Sequence, residues 1–267
     1  MVYLLIVVTG MVTIASAVRS TWSPCGLSML ATITPLSQRG RGHGYPSTVA
    51  WFVTGSTVGG ATLGAGMAAL SVGVSALSLT AHEVAAIVVG ASVVAVASDL
   101  GVGGFELPVH HRQVNERWLD QFRVWVYGAG FGWQIGTGLV TYIMSASVYL
   151  MIVLSALVGS PWLAVAFGTL FGLVRGCAVL LGRGITSVET LRAFHLLFER
   201  LGPVVRRVTI GVEAASALLI ALWAPSWVAL GLATMCLAWV VVRTRRWTIR
   251  RAVDARAVGR PTSIAHS

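Results

Sequence analysis

The chain has 267 residues, 56% hydrophobic and 10% charged, with a mean hydropathy of +0.81. A soluble domain is roughly a quarter charged and a little under half apolar, so this composition excludes an ordinary water-soluble enzyme and argues against a disordered or disulfide-rich secreted protein. The net charge of +10 rests on 19 basic residues, all of them arginine; in so apolar a chain they orient loops against a membrane, and nucleic acid is not an expected partner.

Apolar runs of about 20 residues suffice to cross a hydrocarbon core of about 30 Å as helices. They predict seven spans, over residues 2–36 (interrupted), 48–76, 84–103, 124–156, 161–182, 208–224 and 226–242. The connections 37–47 (Arg39, Arg41, His43), 104–123 (Arg112, Arg117, Arg123), 183–207 and 243–260 hold nearly all the arginine, whereas those near 77–83, 157–160 and 225 hold none. Short basic loops stay in the cytoplasm, which predicts an N-terminus outside and a C-terminus inside a bacterial cytoplasmic membrane. The start, Met1-Val2-Tyr3-Leu4-Leu5, lacks the basic flank of a cleavable signal peptide, so the first span is expected to be retained.

The first span is too long for one unbent helix and is interrupted at Arg19-Ser20-Thr21-Trp22-Ser23-Pro24-Cys25-Gly26. Pro removes a backbone donor and Gly frees the chain to turn, and a break at membrane depth persists only inside protein or beside a polar cavity. Arg19 falls near mid-membrane, where a cation must pair, snorkel or face water. Cys25 stands close to it, and a neighbouring cation favours the thiolate that does exchange chemistry.

Glycines recur four apart within the spans: Gly55 and Gly59, Gly60 and Gly64, Gly128, Gly132 and Gly136, then Gly168, Gly172 and Gly176. Small residues at that spacing let helix backbones approach closely in lipid. Residues 186–206 read as an amphipathic helix on the inner surface, with Thr186 and Glu189 spaced as a capping box and Leu191, Phe194, Phe198 and Leu201 on one face. Asp99, Arg175 and Glu213 fall toward the cytoplasmic ends of their spans, where Arg175 is expected to pair with Glu213 or Asp99. His82-Glu83 and His110-His111 do not complete a zinc site, so no metal and no cofactor is expected.

Ser23-Pro24-Cys25-Gly26-Leu27, followed by Pro35, resembles the signature of the CcdA/DsbD transmembrane thiol-reductant family. The resemblance implies an all-α polytopic membrane protein built from two inverted three-helix repeats, with one extra C-terminal transmembrane helix here. The repeats would occupy 1–103 and 124–224, joined by a cytoplasmic loop at 104–123 and followed by a seventh helix at 225–243 and a basic tail at 244–267. In the second repeat Trp133-Gln134-Ile135-Gly136-Thr137 matches Trp22-Ser23-Pro24-Cys25-Gly26, but Ile135-Gly136 stands where the family carries Pro-Cys. A resolving thiol must then be Cys177 or come from a partner, while Cys236 reads as core. By this resemblance Cys25, Arg19 and Cys177 would carry thiol–disulfide exchange for cytochrome c maturation or extracytoplasmic thiol reduction. Trp22, Ser23, Pro24, Gly26, Trp133, Gln134 and Gly136 would line the break, and membrane lipid, thioredoxin-like proteins or another membrane subunit would be the partners. Two other readings fit the same residues: a transporter of a small solute or soft metal ion with Cys25 as ligand, and a structural subunit of a membrane complex.

Overall fold

A computed structural model of the protein describes residues 1–42, 44–101, 107, 123–138, 143 and 145–223. Every regular element among them is helical: α1 (Val2–Ser20), α2 (Pro24–Thr32), α3 (Pro35–Gly40), α4 (Tyr45–Ser75), α5 (Ala81–Leu100), α6 (Val124–Thr137), α7 (Ser147–Leu157), α8 (Pro161–Cys177) running on into a 3-10 turn (Ala178–Gly184), and α9 (Val188–Trp223). Four stretches are long and apolar enough to cross a membrane, Val2–Ser20, Tyr45–Ser75, Ala81–Leu100 and Pro161–Gly184, and Ser147–Leu157 is a shorter apolar helix. Large apolar side chains such as Tyr3, Val58, Leu70 and Trp162 stand on the outer surface, as lipid contact requires.

The helix starts are written locally. Pro occupies the first turn of α2, α3, α4 and α8, where its missing N–H costs nothing. Ser23 and Thr34 cap α2 and α3 by accepting from Gly26 N and Ser37 N. Thr80 and Glu83 form a reciprocal capping box at the start of α5, so the acid of the His82-Glu83 pair is occupied in holding a helix end.

Helix α4 is the centre of the bundle, with α6 on one side and α8 on the other. Its two glycine rows meet those of its neighbours. A Cβ on Gly55 or Gly59 would collide with the backbone of α6 at Ala129 or Trp133, and one on Gly60 or Gly64 with the backbone of α8. The reverse also holds, since side chains at Gly132 and Gly136 would strike Phe52 and Ser56, and one at Gly168 would strike Gly60 and Gly64. Ser56, fully buried, donates to Gly172 O at 2.7 Å where the three helices converge. The glycine faces are therefore consumed inside the chain. Around this layer α1 packs on α7, α8 and α9, and α5 packs on α7 and α9.

Three predicted elements differ in detail. The fourth span, 124–156, is divided into α6 and α7; Gly138 leaves the helix with φ of +67°, a conformation suited to glycine. Residues 188–223 form one continuous helix that includes Pro203, so the amphipathic segment and the sixth span share one axis. Its cap is Ser187, whose Oγ accepts from Thr190 N at 3.3 Å, in place of the expected Thr186–Glu189 box. The expected seventh span, the basic tail, Cys236 and His110-His111 lie outside the described residues.

The seam makes a sharp prediction for paired glycine substitutions. Gly60→Ala places a methyl against the α8 backbone, and overpacking of this kind costs about 1–3 kcal/mol. Gly66→Ala, six residues further along α4 in open space, is expected to be neutral or to stabilise by up to ~1 kcal/mol. Thermal unfolding in detergent, followed by circular dichroism, checks the contrast.

Candidate functional site

The break in the first span is a tight turn. Thr21 N, Trp22 N and Ser23 N donate to Val18 O, Arg19 O and Ser20 O, which winds up the end of α1 before α2 begins at Pro24. Gly26 packs against Thr21, whose carbonyl leaves no room for a side chain there. This geometry sets Arg19 and Cys25 on two different helices rather than one face. Cys25 is buried at 2% exposure with its thiol free of any disulfide, as is that of half-buried Cys177.

The cation beside Cys25 is Arg175, on α8. Its guanidinium, 1% exposed, donates from Nη1 to Ile135 O at 2.7 Å and reaches from Nη2 toward Ser23 Oγ at 3.5 Å. It also lies within coulombic range of the Cys25 sulfur and 5.8 Å from the Phe171 ring centroid. Ile135 O belongs to the last turn of α6 and Ser23 is the cap of α2. One arginine therefore ties together the two segments matched in the sequence, 22–26 and 133–137, at the point where each helix ends or begins. A carbonyl has two lone pairs, so Ile135 O accepts from Gly138 N and from Arg175 together, and a planar guanidinium with five donors can serve a carbonyl and a hydroxyl at once.

Arg19 turns elsewhere. It lies within coulombic range of Asp99 on α5 and of Arg206 on α9. The Asp99 carboxylate accepts from Ser145 Oγ and from Ala146 N at 2.6 Å, capping the N-terminus of α7. Arg206, exposed, donates through Nε to Asp99 O at 3.2 Å and through Nη2 to the same carbonyl. Glu213, one face further along α9, is 1% exposed and within coulombic range of Asp99. Arg175 thus bonds to the segment ahead of the thiol and lies within range of Cys25, the place expected of Arg19, while Arg19 lies within coulombic range of Asp99. The reason is the turn at 21–23, which redirects the chain between Arg19 and Cys25.

The remaining expected site residues separate. Trp22 stacks on Phe198 of α9 with ring centroids 4.3 Å apart and donates from Nε1 to Phe198 O at 2.8 Å. Trp133 is 38% exposed and bonds Thr62 on α4 at 3.2 Å, away from the break. Gln134 is half-buried, and its backbone carbonyl accepts from Thr137 Oγ1 at 2.8 Å. Gly136 packs on Ser56 and belongs to the seam. Among the described residues no group of three or more His, Cys, Asp or Glu is placed to hold a metal.

Sequence reading did not anticipate a cleft of about 460 Å³ between α2 and α9, lined by Trp22, Leu27, Ser28, His195, Phe198 and Glu199 among others. It opens beside the helix that carries Cys25, and the Trp22–Phe198 stack forms its wall. The i, i+4 pair His195 and Glu199 beside Phe198 was the available signal.

Substitutions at two positions probe this arrangement. Arg175→Met removes a charge-assisted bond from Ile135 O, which keeps its second donor, Gly138 N; the expected loss is about 1.5–3 kcal/mol, and Arg175→Lys, a single-headed donor, is expected to restore only part. Trp22→Ala removes the stack and is expected to speed alkylation of Cys25 by a membrane-permeant maleimide several-fold without loss of fold. Thermal unfolding and timed mass spectrometry read the two effects.

No protein-family model matches the chain, and no solved structure matches it. Among curated proteins it is similar to the methylamine utilization protein MauF of Paracoccus versutus, 29% identical over 180 residues that cover 63% of this chain and 62% of that protein. It is likewise similar to MauF of Paracoccus denitrificans, 30% identical over 181 residues covering 63% of this chain and 61% of that protein. The chain thus spans less than two thirds of the length of the curated relatives it matches.

Proposed function

We propose that the chain is a multi-pass membrane protein with an accessory role in methylamine utilisation, and that it works by thiol–disulfide exchange through Cys25. The role follows the name of the MauF relatives, which itself names no thiol chemistry. The chemistry rests on one observation: a buried cysteine at a helix break lies beside Arg175, which also holds the matching segment of the other half of the chain.

The contacts support two inverted three-helix repeats. Taking the spans as α1 with α2, α4, α5, then α6 with α7, α8 and α9, the second packs on the fifth, the third on the sixth and the first on the fourth. The first packs on the fifth as the second does on the fourth, and the first on the sixth as the third does on the fourth. This pattern survives exchange of the two halves, as a two-fold axis in the membrane plane demands. The distribution of arginine supports an N-terminus outside and a C-terminus inside a bacterial cytoplasmic membrane.

In the exchange, the Cys25 thiolate attacks one sulfur of a partner disulfide. The partner S–S bond breaks, a mixed disulfide forms, and the departing sulfur takes up a proton. Cys177 then displaces the partner and forms a Cys25–Cys177 disulfide, provided the two Cα atoms come within about 7 Å. The 3-10 turn that follows Cys177 packs against α2, which supports that approach. A dithiol protein of thioredoxin type on the cytoplasmic side, or another membrane subunit, returns the two electrons.

Cys25→Ser is expected to abolish methylamine-dependent growth in a strain that relies on this chain. Cys177→Ser is expected to accumulate a mixed disulfide on Cys25, visible as a reductant-sensitive band after acid trapping. If Cys25 stays reduced in native membranes and Cys177→Ser traps no partner, the exchange reading fails. Solute uptake into proteoliposomes that survives Cys177→Ser but not Arg19→Ala then favours the transporter reading.

A further inference from the structure

Glu213 takes no part in the thiol chemistry proposed above, and its surroundings pose a separate problem. It is 1% exposed, and neither carboxyl oxygen accepts a hydrogen bond from any described residue. The charged group within coulombic range of it is Asp99 of α5. Asp99 in turn lies within range of Arg19 of α1 and Arg206 of α9, and accepts from Ser145 Oγ ahead of α7. None of them donates to Glu213. Ser145 Oγ and Ala146 N are spent on the Asp99 carboxylate, and Arg206 donates to the Asp99 carbonyl. The Nε of Arg19, itself buried, also has no acceptor among the described residues.

A carboxylate enclosed by protein with no donor, and with a second carboxylate for a neighbour, is strongly disfavoured as a bare charge. The missing positive charge has to sit on the carboxyl oxygens. Glu213 lies two turns from Arg206, about 10 Å along the helix, so the exposed Arg206–Asp99 rim marks the side from which such a charge arrives. Asp99 brings a second carboxylate within coulombic range, and Ser145 Oγ donates to it.

We propose that Glu213, backed by Asp99, is an exchange site for a small monovalent cation, either a proton or a sodium ion, that enters past Arg206. Capping of α7 by Asp99 connects occupancy of the site to the broken fourth span. This makes the α1–α5–α9 face a cation-coupled element, distinct from the thiol segment at Arg175.

The test is infrared difference spectroscopy of the full chain in lipid nanodiscs, with pH and sodium chloride as the probes and choline chloride as the ionic-strength control. A protonated-carboxyl C=O band that disappears reversibly as pH rises, and is missing in Glu213→Gln, is the expected result. Asp99→Asn is expected to move the pH at which the band is lost, while Glu83→Gln, at the opposite end of α5, leaves it in place. Loss of the band on adding sodium but not choline, at constant pH, identifies the metal ion as the occupant; insensitivity to sodium identifies the proton. Identical difference spectra from wild type and Glu213→Gln overturn the proposal. Should Glu213→Gln not fold, a band that Asp99→Asn leaves unmoved overturns it equally.

Discussion

The closeness of three backbones governs this molecule. Between apolar helices in lipid there is no water to expel, so association relies on dispersion and on short polar contacts, both of which fall off steeply with distance. Glycines along α4, α6 and α8 remove the side chains that would hold the axes apart, and Ser56 uses the space to reach a carbonyl on α8. The same closeness sets the reach of Arg175. Its 2.7 Å bond to Ile135 O joins two helices whose separation is fixed by the seam, and widening by about 1 Å takes that bond out of hydrogen-bonding range.

Upon that layer the chain builds two polar regions that share α1 but not its residues. The end of α1 delivers Arg19 to Asp99 and Arg206, and the turn that follows delivers Ser23 and Cys25 to Arg175. Each region is assembled where a helix starts or stops, because those places carry unspent backbone donors and acceptors at membrane depth. Ala146 N bonds to Asp99, and Ile135 O bonds to Arg175. The polar side chains thus satisfy the broken helices as much as they serve chemistry.

Much of this was legible in the residues. Hydropathy located the four stretches long and apolar enough to cross a membrane, glycine spacing located the seam, and Pro24 with Ser23 located the first break, since each of these is a local rule of helix formation. The second break lacks proline, and only a glycine at positive φ marks it, which is too common in this chain to stand out. Pairing of the buried charges was not legible. Asp99 meets Arg206 and Ser145, and Arg175 meets Ile135, across long sequence separations set by the seam and by the turn at 21–23. Depth alone made Arg175 and Glu213 look like partners. The continuity of α9 was hidden by Arg206-Arg207, which separate the amphipathic face from the apolar run at 208–224 although no helix breaker stands there.

That continuous helix has a mechanical consequence. Phe198, which carries the Trp22 stack, and Glu213, which faces Asp99, ride on one rod about 22 Å apart at 1.5 Å per residue. A stiff rod transmits tilt, so displacing the indole at the cleft swings the carboxyl at the other end unless the rod bends between them. Pro203 stands between the two and supplies no N–H to the preceding turn, making it the weakest joint in the shaft. The stiffness of that joint sets how far the thiol and carboxyl regions move as one body.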